Sequence, residues 1–114
     1  MAGWIGVDLD GTLAKYGEWM GSDHIGEPVP SMVARVKQWL SEGREVRIFT
    51  ARVSVVDSFQ KPSVRDLIAE WCEKHIGQRL EITCCKDYGM VELWDDRCVR
   101  VVPNTGEPCC GQGA

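Results

Sequence analysis

Trp4-Ile5-Gly6-Val7-Asp8-Leu9-Asp10-Gly11-Thr12 is the stretch on which the fold turns. Its first four residues are an apolar run of the length and kind that reads as a buried strand. Two carboxylates, two residues apart, follow where that strand ends. Alternation along an extended chain would place Asp8 and Asp10 on one face only if extension continued past Val7. Gly11 indicates that it does not, since glycine lets the chain turn sharply. Paired acids at a strand's C-terminal end suit a divalent cation held by hard oxygens. They equally suit a nucleophile beside a general acid. The plainer alternative is an Asx-turn with both side chains in water.

Working outward, residues 13–29 are irregular, punctuated by glycines and closed by Pro28 and Pro30. Residues 31–42 read as a helix, with Ser31 as N-cap, an apolar stripe of Met32, Val33, Val36, Trp39 and Leu40, and Gly43 just past its end. Glu45 to Phe49 is a short strand that runs into Thr50-Ala51-Arg52. A loop over 53–61 precedes a second helix, opened by Pro62 and Ser63, that runs through Ile76 and ends at Gly77. His75 in its last turn suits the negative end of the helix. Leu80 to Cys84 is a third strand with Lys86 in the loop after it, and Val91 to Trp94 is a fourth that ends in Asp95-Asp96. Cys98 to Val102 reads as a last strand, and 103–114, rich in Gly and Pro, as a flexible tail. The alternation of strands and helices predicts a parallel sheet covered by helices, with every motif at one sheet edge, where open α/β folds bind ligands.

Asp8-Leu9-Asp10-Gly11-Thr12 resembles the first signature of the haloacid dehalogenase superfamily of phosphohydrolases. The likeness extends in order to Thr50 at a strand tip, Lys86 after the third strand and Asp95-Asp96 after the fourth, and spans residues 3–102. It implies a Rossmann-like three-layer α/β sandwich with a mostly parallel sheet of about five strands. Residues 1–102 would form the core, with 13–29 as a small flap beside the site. The chain is too short for a cap domain, and it most resembles the small capless phosphatase-like proteins of bacteria and phages, Trp94-Asp95-Asp96-Arg97 included. The implied activity is a Mg²⁺-dependent phosphatase. Asp8 attacks phosphorus to form an aspartyl-phosphate, and Asp10 serves as general acid and then base. Asp8, Asp10 through its main-chain carbonyl, Asp95 and Asp96 hold the metal. Thr50 and Lys86 bind the phosphoryl oxygens, and Gly11, Thr12, Ala51 and Arg52 complete the substrate site.

The chemistry of these residue types agrees with those roles. A small hydroxyl such as that of Thr50 can donate to a phosphoryl oxygen without crowding the nucleophile. A cation such as Lys86 keeps the attacking carboxylate ionised and offsets phosphoryl charge. Adjacent acids such as Asp95 and Asp96 repel one another unless a cation compensates them, and Mg²⁺ is the natural choice. Arg52 is either a phosphate ligand or a surface arginine. Lys15, Tyr16, Trp19 and His24 are placed either to touch substrate or, for the aromatics, to pack the flap onto the core.

The 114 residues form one domain by size, with 44% hydrophobic residues, five tryptophans and a net charge of −4. That charge argues against a generally basic, nucleic-acid-coating protein. No apolar run approaches the ~20 residues that span a bilayer, and Met1-Ala2-Gly3-Trp4 leads straight into strand-like sequence without room for a signal peptide. The six cysteines lack metal-ligand spacing and read as reduced thiols of a cytoplasmic protein.

One departure from the family pattern stands out. If the family's strand order holds, the chain crosses three strand spacings between Lys86 and Val91, a path of ~20 Å. Seven extended residues just span it, so the crossover is a bare loop. One sheet face is then thinly covered, or covered by a second copy in a homodimer. Two other readings remain. One is a hydrolase of polynucleotide ends, like a 3′-phosphatase, for which Arg47, Arg52, Lys61 and Arg65 supply positive charge. The other is a non-catalytic phosphate- or metal-binding interaction protein. The substrate is accordingly a phosphorylated small molecule, a nucleotide or a polynucleotide end.

Overall fold

In a computed structural model of the chain, residues 3–54 and 63–109 are described. Lys61, Pro62 and Cys110, and most of the 53–61 loop, lie outside the described residues. Among these residues form four strands, two α-helices and a 3-10 turn at Ala51–Val53: β1 (Trp4–Val7), α1 (Pro30–Ser41), β2 (Glu45–Phe49), α2 (Val64–His75), β3 (Glu81–Thr83) and β4 (Met90–Trp94). The strands make one parallel sheet in the order β3-β2-β1-β4.

The register decides where the core lies. Ile5 is paired with Val46, Val7 with Ile48 and with Trp94, and Ile48 with Ile82, so these side chains share one sheet face. Met32, Val33 and Val36 of α1 and Val64, Ile68, Trp71 and Cys72 of α2 all bury into that same cluster. Both helices therefore cover one face. Chirality gives the reason. The β1-α1-β2 and β2-α2-β3 units step across the sheet in the same direction, and right-handed crossovers then put both helices on the same side. The step from β3 to β4 runs back across the sheet, which sends residues 84–89 over the other face.

That other face carries no helix among the described residues. Trp4 is its centre, with the Trp4 ring, Met90 and Leu93 packed so closely around Gly6 that an added Cβ would crowd all three. The Trp4 indole N–H donates to Asp87 Oδ1 at 2.9 Å, and the Trp4 amide donates to Gly89 O at 2.7 Å, which straps the crossover down. Arg47 lies over the Trp4 ring at 4.5 Å and pairs with Glu45 at 2.8 Å and Glu81 at 3.5 Å. The Trp4 indole, helped by the Gly89 N–H and Arg47, holds the Asp87 carboxyl below its ordinary range. The three-layer expectation thus meets a two-layer arrangement among the described residues, with a strap in place of the third layer.

Two local expectations are corrected. Val29, not Ser31, is the N-cap of α1; Pro30 supplies the first helical φ, and no side chain caps the end. Residues 98–102 do not join the sheet, which has four strands rather than about five. Instead Val102 donates to Glu107 O at 2.8 Å and Cys109 to Arg100 O at 2.7 Å, so the chain folds back on itself through 103–109. Val99, Val101 and Val102 all remain exposed there, so no buried face rewards strand pairing with the sheet. The other helix signals hold. Ser63 forms a reciprocal capping box with Asp66, and Gly43 at φ +81° closes α1 with paired bonds from Gly43 to Leu40 O and Arg44 to Trp39 O. Among the described residues, no helix is long and apolar enough to cross a membrane.

Candidate functional site

The site forms at the C-terminal ends of β1, β2 and β4, where neighbouring loops diverge. Asp8 leaves β1 with its amide still donating to Trp94 O at 2.8 Å, which locks the tips of β1 and β4 together. The chain then winds into a tight turn: Leu13 and Ala14 donate to Leu9 O at 3.0 and 2.8 Å, and Gly11 donates to Ala14 O at 2.8 Å. Leu9, Leu13 and Ala14 are fully buried, so hydrophobic burial anchors the turn beneath the acids. Gly11 has φ +91°, and a Cβ there would fall on the Asp96 carboxylate. Only glycine meets both demands.

This winding brings three acids together. One carboxylate oxygen from each of Asp8, Asp95 and Asp96 lies within 4.8 Å of the other two. Thr12 ties them. Its hydroxyl accepts from the Asp96 amide at 3.1 Å and stands 3.5 Å from both Asp8 Oδ2 and Asp96 Oδ1. Burial, then the charge of Asp95, then hydrogen bonding and charge from Asp96 push the Asp8 carboxyl up from 3.8 to about 7. Thr50 is buried at the tip of β2, its amide donating to Thr83 O at 2.9 Å and its hydroxyl accepting from the Arg52 amide at 3.2 Å. Asp8, Asp95, Asp96 and Thr50 open into a cavity of about 460 Å³ that is also lined by Asp10, Tyr16, Trp19, Ala51, Arg52 and Arg97.

Asp10 is turned away from the acidic cluster. Both its oxygens accept from Arg52, at 2.8 Å from Nε and 2.9 Å from Nη2. Its carboxylate is therefore not among the grouped oxygens, and the expectation of Asp10 as a metal residue rests on its main chain alone. Arg52 in turn donates to Ser22 O at 3.3 Å and His24 O at 2.8 Å, and its guanidinium lies over the Trp19 ring at 4.8 Å. Those four bonds commit most of its five N–H groups inside the chain. Its side chain is only 6% exposed. Arg52 is thus a clamp between the β2 tip, the turn and the flap, rather than a free phosphate ligand.

Lys86 is exposed in the crossover and does not line the cavity. Arg97 does, and its guanidinium forms no ion pair among the described residues. Sequence reasoning gave it no role; its place directly after Asp95-Asp96 was the available signal. Its amide donates to Asp95 Oδ1 at 2.8 Å, which fixes the turn that presents it. The basic set considered for polynucleotide binding is dispersed. Arg47 is paired on the helix-free face, Arg65 donates to Ile82 O, and Arg52 is committed to Asp10. The described cysteines are free thiols, and burial pushes that of Cys72 up to about 12.

No family model matches the chain, and no curated protein matches it in sequence. Among solved structures, that of a conserved protein coded by a locus from Bacteroides thetaiotaomicron is similar. Its TM-score is 0.60 at 21% identity, over 91% of this chain and 84% of that one. At that identity the likeness shows a shared α/β fold and nothing of the chemistry.

Proposed function

We propose that the chain is a capless phosphomonoester hydrolase of the haloacid dehalogenase type that works through an aspartyl-phosphate on Asp8. The observation that carries this reading is the meeting of Asp8, Asp95 and Asp96 within 4.8 Å at the edge of an open cavity. The donor set fits Mg²⁺. It is all hard oxygen, and a dication relieves both the burial and the neighbouring charge that drive Asp8 to hold a proton. Asp8, Asp95 and Asp96 would hold the ion, which when bound neutralises charge on the phosphoryl group.

The chain's own residues supply the rest. Ionised Asp8 attacks phosphorus, and the bond to the leaving oxygen breaks. Thr50 and Arg97 line the cavity and offer a hydroxyl and a guanidinium as donors to the oxygens on phosphorus, so Arg97 takes the part first expected of Lys86. Asp10, fixed by Arg52 as an acceptor, is poised to take the proton from the water that cleaves the aspartyl-phosphate. The proton it takes from that water is the one it gives to the leaving oxygen of the next turnover.

The test is hydrolysis of an aryl phosphate by the full chain with Mg²⁺. Asp8→Asn is expected to bring turnover to background. Undiminished turnover in that variant refutes the nucleophile. Binding of Mg²⁺ and a phosphate mimic, with no turnover across sugar phosphates, nucleotides and oligonucleotide ends, refutes the enzyme.

A further inference from the structure

The flap shows two large aromatic rings at the mouth of the acidic cavity. Trp19 is 57% exposed and Tyr16 50% exposed, and both line the space that Asp8, Asp95 and Asp96 open into. Packing of the flap onto the core would have buried them. A loose loop is not the reason for their exposure either, because the flap is pinned on both sides of the rings. Lys15 donates to Glu27 O at 2.8 Å, Val29 to Leu13 O at 2.8 Å, and the Trp71 indole to Gly26 O at 3.1 Å. Arg52 holds the carbonyls of Ser22 and His24 and lies over the Trp19 ring. The rings are thus held outward by a scaffold with a defined shape.

Exposed aromatic faces beside a phosphate-sized polar site are what stacking of a flat heterocycle requires. A small alkyl phosphate has no use for them, and a sugar phosphate can lay only its narrow C–H face against them, whereas a base offers its whole plane. We propose that Tyr16 and Trp19 form a stacking platform for a nucleobase, so that the substrate is a nucleotide or the terminal nucleotide of a polynucleotide. The inference rests on the phosphohydrolase reading for the position of the phosphate, while the platform is a feature of the flap. The cavity of about 460 Å³ takes one nucleotide unit. Among the described residues of the basic set, Arg47 and Arg65 are engaged elsewhere and offer no hold to further backbone.

Equilibrium binding tests the platform apart from catalysis. Calorimetry of the full chain is run with adenosine monophosphate and with ribose 5-phosphate, which differ by the base. The nucleotide is expected to bind about 10- to 100-fold more tightly. Trp19→Ala and Tyr16→Ala are each expected to shrink that ratio at least about threefold, and Trp19→Phe to keep most of it. Should Trp19→Ala fail to fold, Tyr16→Ala gives the same reading. Equal affinity for the two ligands, including none for either, overturns the platform. So does a ratio unmoved by both alanine variants. Base-dependent binding without hydrolysis would instead keep the platform and sink the phosphatase. A 3′-phosphorylated trinucleotide in the same assay separates the two sources: a gain over the mononucleotide marks a polynucleotide end, and none marks a free nucleotide.

Discussion

Replacing Asp8, the proposed nucleophile, is expected to make the metal-free protein more stable. Asp8 ionises near 3.8 in an unfolded chain and near 7 in the fold. Its folded pKa is raised, so its contribution to stability is fully present below about 3.8 and is lost as pH climbs through about 7. Above that pH the folded protein carries an ionised Asp8 against Asp95 and Asp96. Asparagine of the same shape removes the charge. Roughly three pK units would amount to about 4 kcal/mol if wholly expressed. The carboxylates face an open cavity, and solvent screening leaves about 1–2 kcal/mol. At about 5 °C per kcal/mol this raises the thermal midpoint of Asp8→Asn by roughly 5–10 °C near pH 8, falling towards zero near pH 4. The assay is thermal unfolding by circular dichroism in chelator, wild type against Asp8→Asn, across that pH range. Equal midpoints at both ends, or a variant less stable near pH 8, would show that neither burial nor the neighbouring acids strain an ionised Asp8.

Other expectations follow from the same geometry. Mg²⁺ must displace the Asp8 proton, so its apparent affinity by calorimetry should fall roughly tenfold per pH unit below about 7 and level off above it. Gly11→Ala should lower the thermal midpoint by about 5–15 °C, because φ +91° and the Asp96 carboxylate both oppose a Cβ. Arg97→Gln should cost roughly tenfold or more in kcat/KM on an aryl phosphate, whereas Lys86→Gln should change it by less than about twofold; the reverse ranking would restore the lysine.

The elements were legible because their signals are local. Val46 and Ile48 alternate with polar neighbours, the stripe of Met32, Val33 and Val36 has helical spacing, and Ser63 and Gly43 punctuate the ends. Asp8, Asp95 and Asp96 were legible as strand-end acids because strand order brings β1 and β4 side by side. What could not be read was direction. Past Val7 the chain leaves extension, so the two-residue spacing of Asp8 and Asp10 no longer fixes their faces, and Asp10 turns to Arg52 across 42 residues. Lys86 and Arg97 are both loop cations in sequence. Only the path of the crossover over the Trp4 face shows which of them lines the cavity. The valines of 98–102 mimic a strand, but no neighbour buries them.

The strap over Trp4 also marks where this architecture has room to grow. Asp87 and Gly89 are tied to Trp4, while Tyr88 between them projects fully into solvent. Added chain at that tip would thicken the side that carries no helix among the described residues, without reaching the acidic rim. A sheet half clothed in this way is a minimal body plan, and the lone tyrosine is its seam.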